Sequence, residues 1–174
     1  MTERDTTGAS LAEPGVRIRL LAAADWASLR AARLAALAEA PSAFASTLGR
    51  EEAFTEETWR SRAGSGRTFS AWRGGVIVGL ATALPPEAHR PEWHLVGMWV
   101  DPRERGRGVA DQLVEAVCTQ ASESDADVVS LWVTEVNSRA RAFYRRLGFT
   151  PTGRRQLVRP EEPDHWEEEL ARRL

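Results

Sequence analysis

Between Trp93 and Ala121 the sequence changes its period once, and that change constrains the fold more than any other feature. Trp93–Val100 is an apolar, strand-forming run that stops at Asp101-Pro102, where proline removes a backbone donor. Arg105-Gly106-Arg107-Gly108 follows. From there Val109, Ala110, Leu113, Val114, Val117 and Ala121 recur with a helical period of about 3.6 instead of a strand's period of 2. A strand that turns through glycines into an amphipathic helix has to lay the helix stripe on a sheet, so the chain belongs to the α/β class.

The flanking sequence supplies the rest of that sheet. Val16, Ile18 and Leu20 alternate with Arg17 and Arg19 as a half-buried first strand. Asp25 is placed to cap a helix that turns Leu29, Leu34 and Leu37 inward and ends before Pro41, and Thr55 with Glu56 and Glu57 starts another helix, anchored by Trp59. Thr68–Trp72 and Val76–Leu84 flank Arg73-Gly74-Gly75 and form a hairpin. After the turn helix come a strand over Asp127–Val133 and a helix over Ser138–Leu147, with Ala140, Phe143, Tyr144 and Leu147 on one face and Gly148 at its left-handed end. His165–Leu174 has helix-forming composition. Residues 1–15 are polar and small, and they are expected to form a flexible tail ahead of a single domain over 16–174.

Composition removes several function classes. A formal net charge of -2 gives no field that would gather nucleic acid or an anionic membrane, and no apolar run approaches bilayer length. Every one of the 23 Lys+Arg residues is arginine, so a lysine Schiff base and a lysine-containing phosphate loop are excluded. Cys118 is the only cysteine, which rules out an internal disulfide or a thiolate metal cluster and suits a reducing, cytoplasmic setting; no metal is expected. It lies inside the turn helix and makes a poor covalent acyl carrier.

The turn itself suits an anion, although Gly-x-Gly alone reads equally as a plain tight turn with solvated arginines. The first N–H groups of a helix have no intrahelical acceptor, the helix dipole leaves positive partial charge there, and glycines let backbone approach a phosphate closely. Arg105 and Arg107 add charge-assisted donors. Ala110 and Asp111 stand where a P-loop needs Lys-Ser/Thr, and no glycine stands three residues after Gly108 for a dinucleotide fingerprint. The run Arg105-Gly106-Arg107-Gly108-Val109-Ala110 resembles the acetyl-CoA signature Arg/Gln-x-x-Gly-x-Gly/Ala of the GNAT superfamily of N-acetyltransferases. A second block, Asn137 to Phe149, is similar to that superfamily's Asn-x-x-Ala-x-x-Phe-Tyr-x-x-x-Gly-Phe.

This resemblance is specific over roughly 92–153 and implies a mixed, twisted sheet of about six to seven strands flanked by about four helices. It implies acetyl-CoA as co-substrate and an amine acceptor, either a small molecule such as a polyamine, amino acid or antibiotic, or a protein N-terminus or lysine. Met98 and Val100 would present backbone to the pantetheine arm, and the N–H groups of Arg105, Gly106, Arg107, Gly108, Val109 and Ala110 would hold the pyrophosphate. Asn137 would bond the arm, with Ala140 and Phe143 beneath it. Tyr144 matches the superfamily's general acid, and Val100 the bulged position whose N–H polarises the thioester carbonyl.

For the general base, Glu92 and His94 are two apart on one strand face, Glu135 is a third choice, and water a fourth; each side chain also reads as an edge residue or a satisfied histidine. Trp26, Trp59, Trp72 and Trp132 read as core, leaving Trp93 and Trp99 near the site. The acidic run Glu167–Glu169 reads as solvated surface. Phe44, Phe54, Trp59 and the loop Pro85–Pro91 are expected to frame the acceptor pocket. The resemblance also implies, as the alternative to a helix over His165–Leu174, a terminal strand from Trp166 that would offer an edge for a homodimer. The rival to an enzyme is a non-catalytic acyl-CoA sensor of the same fold.

Overall fold

In a computed structural model, which describes residues 15–88 and 90–174, one seven-stranded sheet runs in the order β1-β2-β3-β4-β5-β7-β6. The strands are β1 (Arg17–Leu20), β2 (Thr68–Arg73), β3 (Val76–Leu84), β4 (Trp93–Val100), β5 (Val128–Thr134), β6 (Thr150–Leu157) and β7 (Trp166–Arg173). The helices are α1 (Trp26–Glu39), α2 (Leu48–Glu52), α3 (Glu56–Ala63), α4 (Val109–Ser122) and α5 (Ser138–Arg146). All pairs are antiparallel except β4 with β5, which α4 connects in parallel. The expected tail over residues 1–15 lies, but for Gly15, outside the described residues. No helix among the described residues is long and apolar enough to cross a membrane.

Two cores sandwich the sheet. On one face α4 buries Val109, Leu113, Val114, Val117, Cys118 and Ala121 against Val78, Ala81, Leu95, Val129 and Leu131. On the other, α1 and α3 bury Leu29, Ala36, Leu37, Trp59 and Ala63 against Ile77, Leu80 and Trp99. Gly79 is where α4 presses hardest on the sheet: a Cβ there would stand 2.9 Å from Leu113 Cδ1. Thr55 caps α3 through its hydroxyl, which accepts from Thr58 N–H.

Several expectations need correction. Leu20 is exposed, and the residue that turns inward is Leu21, just past the strand end. Asp25 stands at the N-cap position of α1, but its side chain makes no cap bond to that helix; its carboxylate accepts from Ala22 N–H and pairs with Arg19, closing a 3-10 turn over Ala23–Asp25. A further helix, α2, lies between those anticipated, with Thr47 as its cap. The last ten residues resolve as strand: Trp166–Arg173 pairs with β5 along its whole length and with β6 on its other side. β7 is therefore interior, and the edge proposed for a homodimer does not exist. Nor is the acidic run on that strand solvated. Glu169 is 3% exposed and held by Arg154 and Thr152, while Glu168 pairs with Arg141.

Candidate active site

The parallel pairing of β4 with β5 is short: only Trp93–Val129, His94–Ser130 and Leu95–Leu131 face each other, and beyond Leu95 the strands part. A bulge on β4 falls at the same place. Val96 pairs with Thr82 and Trp99 with Leu80, so Gly97 and Met98 stand opposite Ala81 alone. Gly97 has φ +64°, the left-handed conformation that such a bulge assigns to glycine. Past the bulge, Asp101 N–H donates to Val78 O at 2.9 Å, and alternation along the ladder turns the N–H and C=O of Val100 away from β3 into the gap. The Val100 carbonyl there accepts from Arg105 Nε at 3.0 Å.

One cavity of about 560 Å³ opens on that gap, lined from β4 by Met98, Trp99 and Val100. The glycine turn and α4 contribute Arg105, Gly106, Gly108 and Ala110; α5 and its cap contribute Asn137, Ala140, Phe143 and Tyr144. The two sequence blocks thus meet on one wall, although 26 residues separate Ala110 from Asn137. Gly106 and Gly108 both have φ +78°, and a Cβ at either would meet nothing within 4 Å. Gly108 is the helix cap without a capping side chain, so the first N–H groups of α4 remain available to a ligand. Arg107 and Val109 do not line the cavity by side chain: Val109 is buried in the core, and Arg107 sits 3.7 Å from Glu104.

The side chains divide their bonding capacity. Asn137 Oδ1 accepts from Ala140 N–H at 3.0 Å to cap α5, which leaves its amide nitrogen for a ligand. Arg105 is anchored on Glu39 at 2.7 Å as well as on Val100. Arg139 and Arg146, which the sequence reading passed over, also line this cavity, and Arg146 holds Asp111 at 2.8 Å. Tyr144 is 7% exposed, with its ring packed edge-on against Phe143 and Phe149. Burial drives its phenol above the ordinary tyrosine value, so it stays a neutral O–H donor at physiological pH.

A second cavity of about 660 Å³ lies on the other side of the bulge, lined from β4 by His94, Leu95, Val96 and Gly97. Of the residues expected to frame an acceptor pocket, Phe44 and Trp59 line this cavity, but Phe54 and the loop Pro85–Pro91 do not, and Trp132, read as core, does. The candidate bases separate here. Glu92 lines neither cavity; burial pushes its carboxyl up, but Arg154 at 2.6 Å outweighs that and holds it below the usual range. Burial, with Arg90 nearby, lowers His94 to about 4, and its Nδ1 is 2.8 Å from Ser130 Oγ. Glu135 is engaged by Arg155 at 2.5 Å. The residue missed is Glu167 on β7: it lines the second cavity, bonds only the neutral amide of Gln156 at 2.7 Å, and is raised by burial. No local signal marks it, because its place depends on the pairing of Thr134 with Glu167 across the sheet.

Comparison with known proteins agrees with this geometry. Mycothiol acetyltransferase of Thermobispora bispora is 36% identical over 101 residues, a match covering 55% of this chain and 32% of that protein. The chain thus spans about a third of that relative's length. Among solved structures, an acetyltransferase of the GNAT family from Streptococcus pneumoniae superposes with a TM-score of 0.73 at 20% identity, over 92% of this chain and 99% of that one. PaiA N-acetyltransferase from Thermoplasma acidophilum in complex with coenzyme A superposes with a TM-score of 0.64 at 14% identity, over 92% and 100%. At those identities the structures speak for the fold alone. The family model described as acetyltransferase (GNAT) family matches residues 33–149, from α1 through both motif blocks, and on that match the chain belongs to the GNAT acetyltransferase family.

Proposed function

We propose that the protein transfers the acetyl group of acetyl-CoA to a primary amine by direct attack in a ternary complex. One observation carries this reading: consecutive residues of a single strand line two cavities, Leu95–Gly97 the second and Met98–Val100 the first, with the β4 bulge between them. A donor in one and an acceptor in the other meet where Val100 turns its N–H into the gap. Cys118 serves neither cavity. It is buried, and burial raises its thiol to about 11, so a covalent acyl-enzyme through it is unfavourable.

In this reading the N–H groups from Arg105 to Ala110 hold the pyrophosphate, Met98 and Val100 align the pantetheine arm, and Asn137 bonds it above Ala140 and Phe143. Glu167 accepts the proton of the incoming ammonium, a task for which a carboxylate raised by burial is better suited than one clamped by arginine. The amine lone pair forms the C–N bond at the thioester carbon, and the developing oxyanion takes a hydrogen bond from Val100 N–H. As the C–S bond breaks, its electron pair goes to sulfur; the Tyr144 hydroxyl passes its proton to the thiolate and takes back the proton that the new amide nitrogen sheds, so the phenol ends neutral.

The test measures thiol release from acetyl-CoA over a panel of amines, together with coenzyme affinity by calorimetry. Tyr144→Phe and Glu167→Gln are each expected to lower kcat on the order of 100-fold while coenzyme affinity stays within about twofold. Coenzyme binding with no thiol release on any amine would favour the sensor reading. Unchanged turnover in either variant would remove that residue's role.

A further inference from the structure

The second cavity is electrostatically lopsided. Where α1, α2, α3 and β2 meet it, three guanidiniums line the wall, those of Arg33, Arg62 and Arg67, against the single carboxylate of Glu51. Glu51 is fully buried, with Arg33 Nη2 and Arg62 Nη1 each 2.9 Å from one of its oxygens. Burial pushes its carboxyl up, but the Arg33 hydrogen bonds and charge, with Arg62 adding to them, outweigh that and keep it ionised. One carboxylate offsets one guanidinium, so this corner keeps a net positive charge. Stacking holds the donors in place: Arg33 lies 4.6 Å from the Phe44 ring centroid, and Arg62 lies 5.1 Å from that of Phe54.

Unspent donors mark the same wall. Arg33 Nη1 and Trp59 Nε1 are buried without a hydrogen-bond partner, an arrangement that native interiors rarely leave. Arg33 Nη1 stands 3.9 Å from where a Cβ on Gly97 would be, which puts the arginine corner beside the β4 bulge. The hydroxyl residues Ser46, Ser61, Ser65, Thr68 and Thr82 complete this side. Glu167 is the other acid in the lining, and it belongs to β7 across the sheet.

We infer that the acceptor is a small amine that also carries an oxyanion, a carboxylate or a phosphate, seated in the Arg33–Arg62–Arg67 corner while its amine faces Glu167 and the bulge. The inference rests on the transferase reading above and narrows it. A polyamine, positively charged throughout, would meet repulsion from this corner, and a monoamine without an anionic group would leave its donors unmet.

The test supplies the wild-type protein with acetyl-CoA and four sets of acceptors: α-amino acids, aminoalkyl phosphates, the decarboxylated or dephosphorylated counterparts of both, and polyamines. The expected result is a kcat/KM at least about tenfold, and up to about 100-fold, higher for an amine that carries an oxyanion than for its counterpart without one, the range of one or two charge-assisted hydrogen bonds. The first two sets distinguish carboxylate from phosphate. Arg67→Gln, at an exposed position away from the buried pair, is expected to raise the acceptor KM several-fold and leave the acetyl-CoA KM unchanged. Arg33→Lys, checked for folding by its melting curve, is expected to erase most of the anion preference. Equal or faster turnover of polyamines or of the counterparts without an oxyanion overturns the inference and leaves the transferase intact. Absence of turnover on all four sets overturns both.

Discussion

His94 is a candidate base from sequence because it stands two residues from Glu92, on the same strand face. Here its ring is 5% exposed and its Nδ1 is spent on Ser130, so protonation would place a charge in the core. Burial, helped by the nearby Arg90 charge, depresses its folded pKa to about 4 from an ordinary 6.5. The sign follows from proton counting. Between those values the unfolded chain binds a proton that the folded chain refuses, so the contribution to stability is complete above pH 6.5 and is lost as the pH falls toward 4. The interval corresponds to about 3 kcal/mol. Denaturant unfolding of the wild type across this range should show that loss, and His94→Asn should show a flatter profile over the same interval. An equal acid slope in both would mean that the histidine is not what titrates.

At the scale of elements, the glycine turn before α4 is a cradle with nothing in it for side chains to fill. A Cβ at Gly106 or Gly108 meets no atom of the protein, so alanine there costs the left-handed backbone, about 1 kcal/mol per site, without a packing clash. In the proposed complex the larger penalty falls on the ligand, because the added methyl would stand where backbone is proposed to approach the pyrophosphate. Gly108→Ala should weaken acetyl-CoA binding at least about tenfold by calorimetry while the melting point falls by only about 2–4 °C. A binding loss no larger than the stability loss would argue against the cradle. This turn and α4 were legible from sequence because their signals are local: a change of period, a proline stop and two glycines. Other elements were not. α2 has five residues, too few to show a period, and the β7 acids look solvated until Arg154 and Arg141 are brought to them from β6 and α5. Likewise Glu167 reaches the second cavity only through the pairing of Thr134 with Glu167, a long-range contact that no local pattern encodes.

Considered whole, the molecule is two half-sheets joined at a weak seam. β1 to β4 carry α1, α3 and most of α4, while β5, β7 and β6 carry α5, and only the three residue pairs from Trp93 to Leu95 bridge β4 to β5 before the strands part. The parting creates the first cavity, whose walls therefore come from both halves: Met98, Val100 and Gly108 from one, Asn137, Phe143 and Tyr144 from the other. A ligand seated there is bound only while both halves are folded and docked, so its binding free energy counts fully toward the cooperative unit. At acetyl-CoA 100-fold above its Kd that contribution is about 2.7 kcal/mol, which for a chain of this length raises the melting point by roughly 5–10 °C. Calorimetric melting should show one transition moving upward as a whole. If acetyl-CoA instead split the melt, moving one transition and leaving another in place, the coenzyme would be held by one half alone, and the site would not span the seam.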